Sequence, residues 1–273
     1  MSHLVAYYID RNKINNRKLK EVLNFMIINL FCDASIDTDK KIACGGCYIV
    51  IQSENNNRDP YPLDYKLYIQ HNATNNSSEI LAIWAGVTEA IRIRKSYPNA
   101  IFRLFSDSKI SLYGLRDWMK NWIKNAELRN SESLISSSGQ EVANQQYFID
   151  IYNLIVETGL KIELYHQRGH VGESGGVNLA MARTQFIRAN KVSPENLGLD
   201  IEFLSTCNHY IDAATRGAVR AYIDQGILLE NTMVQPIDPM YHYIRSNMVH
   251  QYIRNINKTS VTSRHDFKGG YNQ

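Results

Sequence analysis

Four acids stand where the hydropathy of the chain changes. Met26-Ile-Ile-Asn-Leu-Phe-Cys is apolar and ends in Asp33, and Ile101-Phe-Arg-Leu-Phe-Ser ends the same way in Asp107. Glu79 falls in the first turn of a helix predicted over 77–96, and Asp212 lies in a helix predicted over 208–224. Taken singly, each has an ordinary role. Asp33 suits an Asx turn and Asp107 a helix N-cap; Glu79 suits a capping pair with Asn76, and Asp212 a solvated helix face. If the two strands lie parallel and adjacent, however, all four acids flank one edge of one sheet, where open α/β sheets place their chemistry.

Clustered carboxylates repel one another and need cations to neutralise them. An all-oxygen site suits Mg²⁺ or Mn²⁺. Two such ions about 3.5–4 Å apart activate a water and stabilise a leaving oxygen in phosphodiester hydrolysis. His170, just after the last predicted strand, is placed to move protons at neutral pH.

The elements that must position these groups follow from periodicity. Strands are predicted at 26–33, 46–52 and 64–72, with Gly45-Gly46 as the first turn and Glu54 to Pro60 as a polar loop. The helix over 77–96 carries Ile80, Ile83, Trp84, Val87 and Ile91 at helical spacing. A strand at 100–107 leads into a helix capped by Asp107 or Ser108 and running to about Asn125. Ser131 to Gly139 reads as a loop, and Phe148, Ile151, Leu154 and Ile155 mark a helix that stops near Gly159. Lys161 to Tyr165 is the fifth strand. The order is β-β-β-α-β-α-α-β, then an aperiodic stretch from Gly172 to Cys207, then a final helix. Three meandering strands followed by βαβ connections predict a five-stranded mixed sheet with helices on both faces.

Length and composition set wider bounds. The chain has 273 residues, 44% of them hydrophobic, and carries a net charge of +3, which permits a nucleic-acid partner without requiring one. Four cysteines are too few for a disulfide framework, and no signal pattern or membrane-length apolar run is present, so a reduced cytoplasmic protein is expected. Cys44-Gly-Gly-Cys47 has no second pair to complete a zinc site and enters a strand rather than a helix, so these cysteines read as structural. Residues 1–25 form a mixed-charge extension in which Lys18 to Ile28 suits a short helix. The tail over 225–273 is basic and aromatic around Tyr241, Tyr243, Arg245, Tyr252 and Arg254.

Several segments resemble, in order, those of the type 1 ribonucleases H (ribonuclease HI). They are Asp33 at the end of the first strand, Ala73-Thr-Asn-Asn-Ser-Ser-Glu79, Ser106-Asp107-Ser108, Trp118-Met-Lys-Asn-Trp122, Arg168-Gly-His-Val-Gly172 and Asn208-His-Tyr-Ile-Asp212. The resemblance covers about 29–172 and 207–222. It implies a ribonuclease H-like catalytic domain over 26–224 that cleaves the RNA strand of an RNA/DNA hybrid. Asp33, Glu79, Asp107 and Asp212 would hold two Mg²⁺ ions, with Mn²⁺ as a substitute, and His170 would assist proton transfer. Thr74, Asn75 and Asn76 would contact the backbone and read 2′-hydroxyls. Trp118 and Trp122 would line the groove for the DNA strand, although paired tryptophans on one helical face also suit a core. Asn208 would join the nucleic-acid contacts.

The chain also departs from the family. Ser77 stands where the family has Arg. The loop after the tryptophans keeps only Arg129 as a cation. Residues 173–207 replace a short loop beside the site. Two other readings compete: a DNA nuclease of the same superfold, and a non-catalytic nucleic-acid-binding protein on an inherited fold. The presence of all four acids and the histidine argues against the second of these.

Overall fold

A computed structural model describes residues 26–53, 60–172 and 176–234. The elements are β1 (Met26–Asp37), β2 (Ile42–Ser53), β3 (Tyr61–His71), α1 (Asn75–Arg94), β4 (Ile101–Ser106), α2 (Lys109–Tyr113), a π-helical stretch (Gly114–Trp118), α3 (Met119–Leu128), α4 (Gln145–Thr158), β5 (Ile162–His166), α5 (Leu179–Asn190), a 3₁₀ turn (Glu195–Leu197), α6 (Ile201–Gln225) and β6 (Thr232–Val234). They build one six-stranded sheet in the order β5-β4-β1-β2-β3-β6. β1 pairs antiparallel with β2 and parallel with β4, and β4 pairs parallel with β5.

Alternation along β1 sends its residues to two cores, as the period-two geometry of a strand requires. Ile28, Leu30 and Cys32 face the core under α1 and α4. Phe31 faces the core under α5 and α6, with Phe105, Phe186, Leu204 and Ile211. Both faces are therefore covered, and the central strands read as continuous apolar runs for that reason.

Several expectations need correction. Gly45 and Gly46 are not a turn. They lie inside β2, opposite Ala34 and Asp33. The turn falls at 38–41, where Asp37 accepts the Lys40 N–H at 2.8 Å and Lys41 takes a φ of 54°. The two glycines instead seat helices on opposite faces. A Cβ on Gly45 would lie 2.8 Å from the Ala82 backbone nitrogen on α1, and one on Gly46 would lie 2.5 Å from Leu67 and 3.0 Å from Ile211 and Thr215 of α6. Gly46→Ala is therefore expected to overpack this contact and cost about 1–3 kcal/mol, read from the urea midpoint.

The sheet has six strands rather than five, because β6 pairs parallel with Leu67–Ile69. Three residues, Thr232-Met-Val234, are too short to show a period. The predicted helix reaching Ile28 is overruled from Met26 onward by β1. α1 begins earlier than predicted, and its cap is Thr74 with Ser77, not Asn76 with Glu79. The stretch over 172–207 is not aperiodic. It holds α5, capped by Asn178, and the start of α6, capped by Asp200. α5 buries only Ala182 and Phe186, too narrow a stripe to register as an apolar face. Residues 1–25, 54–59 and the basic tail around Tyr241 to Arg254 lie outside the described residues.

Candidate active site

The register of the parallel strands brings the first two carboxylates together. Cys32 pairs with Ser106, so the next residues, Asp33 and Asp107, leave the same sheet edge on neighbouring strands. α1 supplies Glu79 because Gly45 lets the Ser78–Ala82 backbone lie directly on β2. One oxygen from each of Asp33, Glu79 and Asp107 lies within 4.8 Å of the others, close enough to share a cation. α6, seated over Gly46, brings Asp212 within electrostatic reach of all three. Asp212 forms an ion pair with Arg216 one helical turn on.

The electrostatics are those of an acid cluster only partly compensated by nearby cations. Burial, then Asp107 and Glu79, hold the Asp33 carboxyl well above the usual range, although its Oδ1 accepts the Ala34 N–H at 2.7 Å. Burial, then Asp107 and Asp212, push Glu79 up to about 8. Asp107 is also raised by burial, partly offset by His170. Glu79 Oε2 is buried with no hydrogen-bond partner. An unpaired buried carboxylate oxygen facing two other acids is costly unless a cation sits among them. A hard divalent cation with oxygen ligands fits this donor set.

The segment after β5 closes over Asp107. A Cβ on Gly169 would lie 1.9 Å from Asp107 Oδ2, so only glycine fits there. His170 follows, exposed and with a φ of 53°. Gly169→Ala is expected to displace the Asp107 carboxylate and lower turnover on the order of 100-fold, with an unchanged circular-dichroism spectrum.

Thr74, Asn75 and Asn76 lie exposed at the start of α1. They line a groove of about 390 Å³ with Ile36, Thr38, Lys41 and Ala73. The Thr74 hydroxyl is already engaged, accepting the Ser77 N–H at 3.1 Å. Ser77, at the family's Arg position, is buried and donates to Gln70 Oε1 at 3.4 Å, so it completes the cap rather than facing a ligand. The two tryptophans part company. Trp122 is 8% exposed and packs edge-on against Phe148, whereas Trp118 is 39% exposed at the end of the π-helical stretch. Trp122 thus belongs to the core. Asn208 also differs from expectation. It is 4% exposed, its amide N–H faces Asp33 Oδ2 at 3.5 Å, and its Oδ1 accepts from Gln167, so it addresses the carboxylates and not an open surface.

Residues around these were missed by sequence reasoning. Gln167 is 2% exposed and orients the Asn208 amide. The His166 ring, 5% exposed, contacts the Asp107 carbonyl at 3.1 Å through Nε2. Burial lowers the His166 pKa to about 4. A polar His-Gln pair directly after Leu164-Tyr165 was the available signal.

A mixed sheet with carboxylates converging at the carboxyl ends of its central strands, flanked by helices that add two more acids, is an arrangement suited to metal-assisted hydrolysis and phosphoryl transfer. The RNase H family model matches residues 26–181, and the chain belongs to that family. Ribonuclease H1 of Rattus norvegicus is 27% identical over 115 residues, which is 42% of this chain but only 36% of the rat protein's length. Among solved structures, LC9-RNase H1, described as a type 1 RNase H with the type 2 active-site motif, is 14% identical with a TM-score of 0.46, covering 83% of this chain and 84% of its own. LC11-RNase H1, solved in complex with an RNA/DNA hybrid, is 15% identical with a TM-score of 0.37, covering 62% of this chain and 94% of its own.

Proposed function

We propose that this chain is a divalent-metal-dependent endonuclease that hydrolyses the RNA strand of RNA/DNA hybrids. The observation that carries this reading is the convergence of Asp33, Glu79 and Asp107 within 4.8 Å, with a buried Glu79 oxygen that has no partner. Membership of the RNase H family supports the same conclusion.

On this reading Asp33, Glu79, Asp107 and Asp212 hold two Mg²⁺ ions, with Mn²⁺ as a substitute. When bound, such ions supply the positive charge that activates a water and stabilises the leaving oxygen. The chain supplies the rest. Asn208 fixes the orientation of the Asp33 carboxylate. His170, beside Asp107, carries a proton to or from the reacting phosphate. Asn75 and Asn76 read 2′-hydroxyls along the groove at the start of α1, where unsatisfied helix N–H groups also favour phosphate oxygens. Trp118 stacks against the DNA strand. Arg168 and Lys109, both exposed near the end of β4 and β5, contribute to backbone attraction.

The catalytic unit spans 26–224, with the insertion over 173–207 and extensions at 1–25 and 225–273. The first part of the latter adds β6 to the sheet. All four cysteines are buried thiols, which supports a reducing, cytoplasmic setting. Among the described residues no helix is long and apolar enough to cross a membrane.

The test is cleavage of a labelled RNA/DNA hybrid with Mg²⁺ or Mn²⁺, beside matched RNA/RNA, DNA/DNA and single-stranded controls. Cutting confined to the hybrid's RNA strand is expected. Cutting of DNA/DNA would favour a DNA nuclease instead, and binding of the hybrid without cutting under either metal would favour a binding module.

A further inference from the structure

The insertion over 173–207 distinguishes this chain from the family pattern, and its contacts are specific. β5 is an edge strand of the sheet. An edge strand leaves a row of backbone donors and acceptors unpaired unless something covers it. At His166 a single side chain does so. Asn190, the last residue of α5, accepts the His166 N–H through Oδ1 at 2.9 Å and donates through Nδ2 to the His166 carbonyl at 2.7 Å. One amide thus saturates both backbone groups, as a neighbouring strand would.

The clamp sits where it matters for the site. The His166 ring reaches the Asp107 carbonyl, Gly169 packs on the Asp107 carboxylate, and His170 follows directly. The clamp is also firmly mounted. α5 buries Phe186 against Phe105 and Tyr165. The 3₁₀ turn beyond it is held by Gln52, which donates to the Leu197 and Gly198 carbonyls at 3.0 and 2.9 Å, and by Arg103, which donates to the Leu197 carbonyl at 2.8 Å. Beside the clamp, Arg116 lies over the Tyr113 ring and reaches Asn190 Oδ1 at 3.4 Å.

We propose that the insertion is a strut, and that Asn190 is a positioning residue that holds the end of β5 and, through it, His170 and Asp107 in register for cleavage. This rests on the nuclease reading above. The alternative for such an insertion is a surface that selects substrate, and the two roles separate kinetically. A strut affects the reacting groups and so kcat, whereas a substrate-reading surface affects KM.

The experiment compares Asn190→Ala and Asn190→Leu with Arg183→Ala, which removes an exposed ion pair with Glu195 elsewhere on the same insertion. Two readouts are taken: steady-state cleavage of the hybrid, and amide hydrogen exchange with His170 imidazole resonances by NMR. Both Asn190 variants are expected to lose about tenfold or more in kcat, with KM within about twofold. They should also lose protection at the His166 amide and shift the His170 resonances. Arg183→Ala should match the wild type throughout. Retained protection at His166, unshifted His170 resonances, unchanged kcat, or a change confined to KM would overturn the proposal. A wild-type protein that cuts no hybrid would sink the nuclease reading instead, while the exchange and His170 readouts would still decide whether Asn190 holds this segment.

Discussion

Asp107→Asn is expected to abolish metal-dependent cleavage while making the metal-free protein more stable. The substitution keeps the shape of the side chain and removes its charge. Asp107 faces Asp33 and Glu79 across less than 4.8 Å and raises the pKa of both. It is therefore a ligand when a cation is present and a source of repulsion when none is. Loss of the ligand should lower kcat about 10³-fold or more, equivalent to about 4 kcal/mol of transition-state stabilisation. Loss of the repulsion should raise the unfolding free energy in EDTA at pH 8, read from the urea midpoint, by roughly 1 kcal/mol or more. The two effects have opposite signs, so simple misfolding would not produce both. Cleavage that persists in the variant would show that the site is misassigned or the activity a contaminant's.

The second large effect is a pH dependence of stability that metal largely removes. Glu79 has a folded pKa of about 8 against an ordinary value of 4.5, with burial as the main cause. The folded state therefore binds the proton more tightly than the unfolded chain. Its contribution to stability is fully present below about pH 4.5 and is lost as pH rises through about 8. The raised pKa of Asp33 adds in the same direction. Each bound proton lost in that window costs up to about 1.4 kcal/mol per pH unit. Metal-free protein followed by urea denaturation should thus weaken from about pH 6.5 to pH 8, above the window in which the lowered pKa of buried His166 acts in the opposite direction. Millimolar Mg²⁺ should restore most of the loss at pH 8 and little at pH 5, because the cation binds the ionised carboxylates of the folded state. A flat profile in EDTA, or stabilisation by Mg²⁺ that is the same at both pH values, would show that these carboxylates are not the cation site.

Much of the fold could be read in order along the chain. Apolar runs ending in Asp33 and Asp107, the period of Ile80 to Ile91, and Gly159 closing α4 with a φ of 59° are all local signals, and local signals survive in the sequence. The same holds for the candidate acids, because a carboxylate that ends an apolar strand is conspicuous in hydropathy alone. What required the tertiary structure was everything fixed by close approach between distant segments. Gly45 and Gly46 read as a turn because glycines usually are, yet here their missing side chains admit two helices onto opposite faces of β2. Trp118 and Trp122 share one helical spacing, but only packing against Phe148 decides which is core. α5 escaped notice because it buries a narrow stripe and holds the sheet edge by a polar contact, Asn190 to the His166 backbone. The types and order of the acids are written in the residues themselves. Their separation, and which neighbours hold them there, depends on the thickness of glycine contacts and the register of strands, which no periodicity encodes.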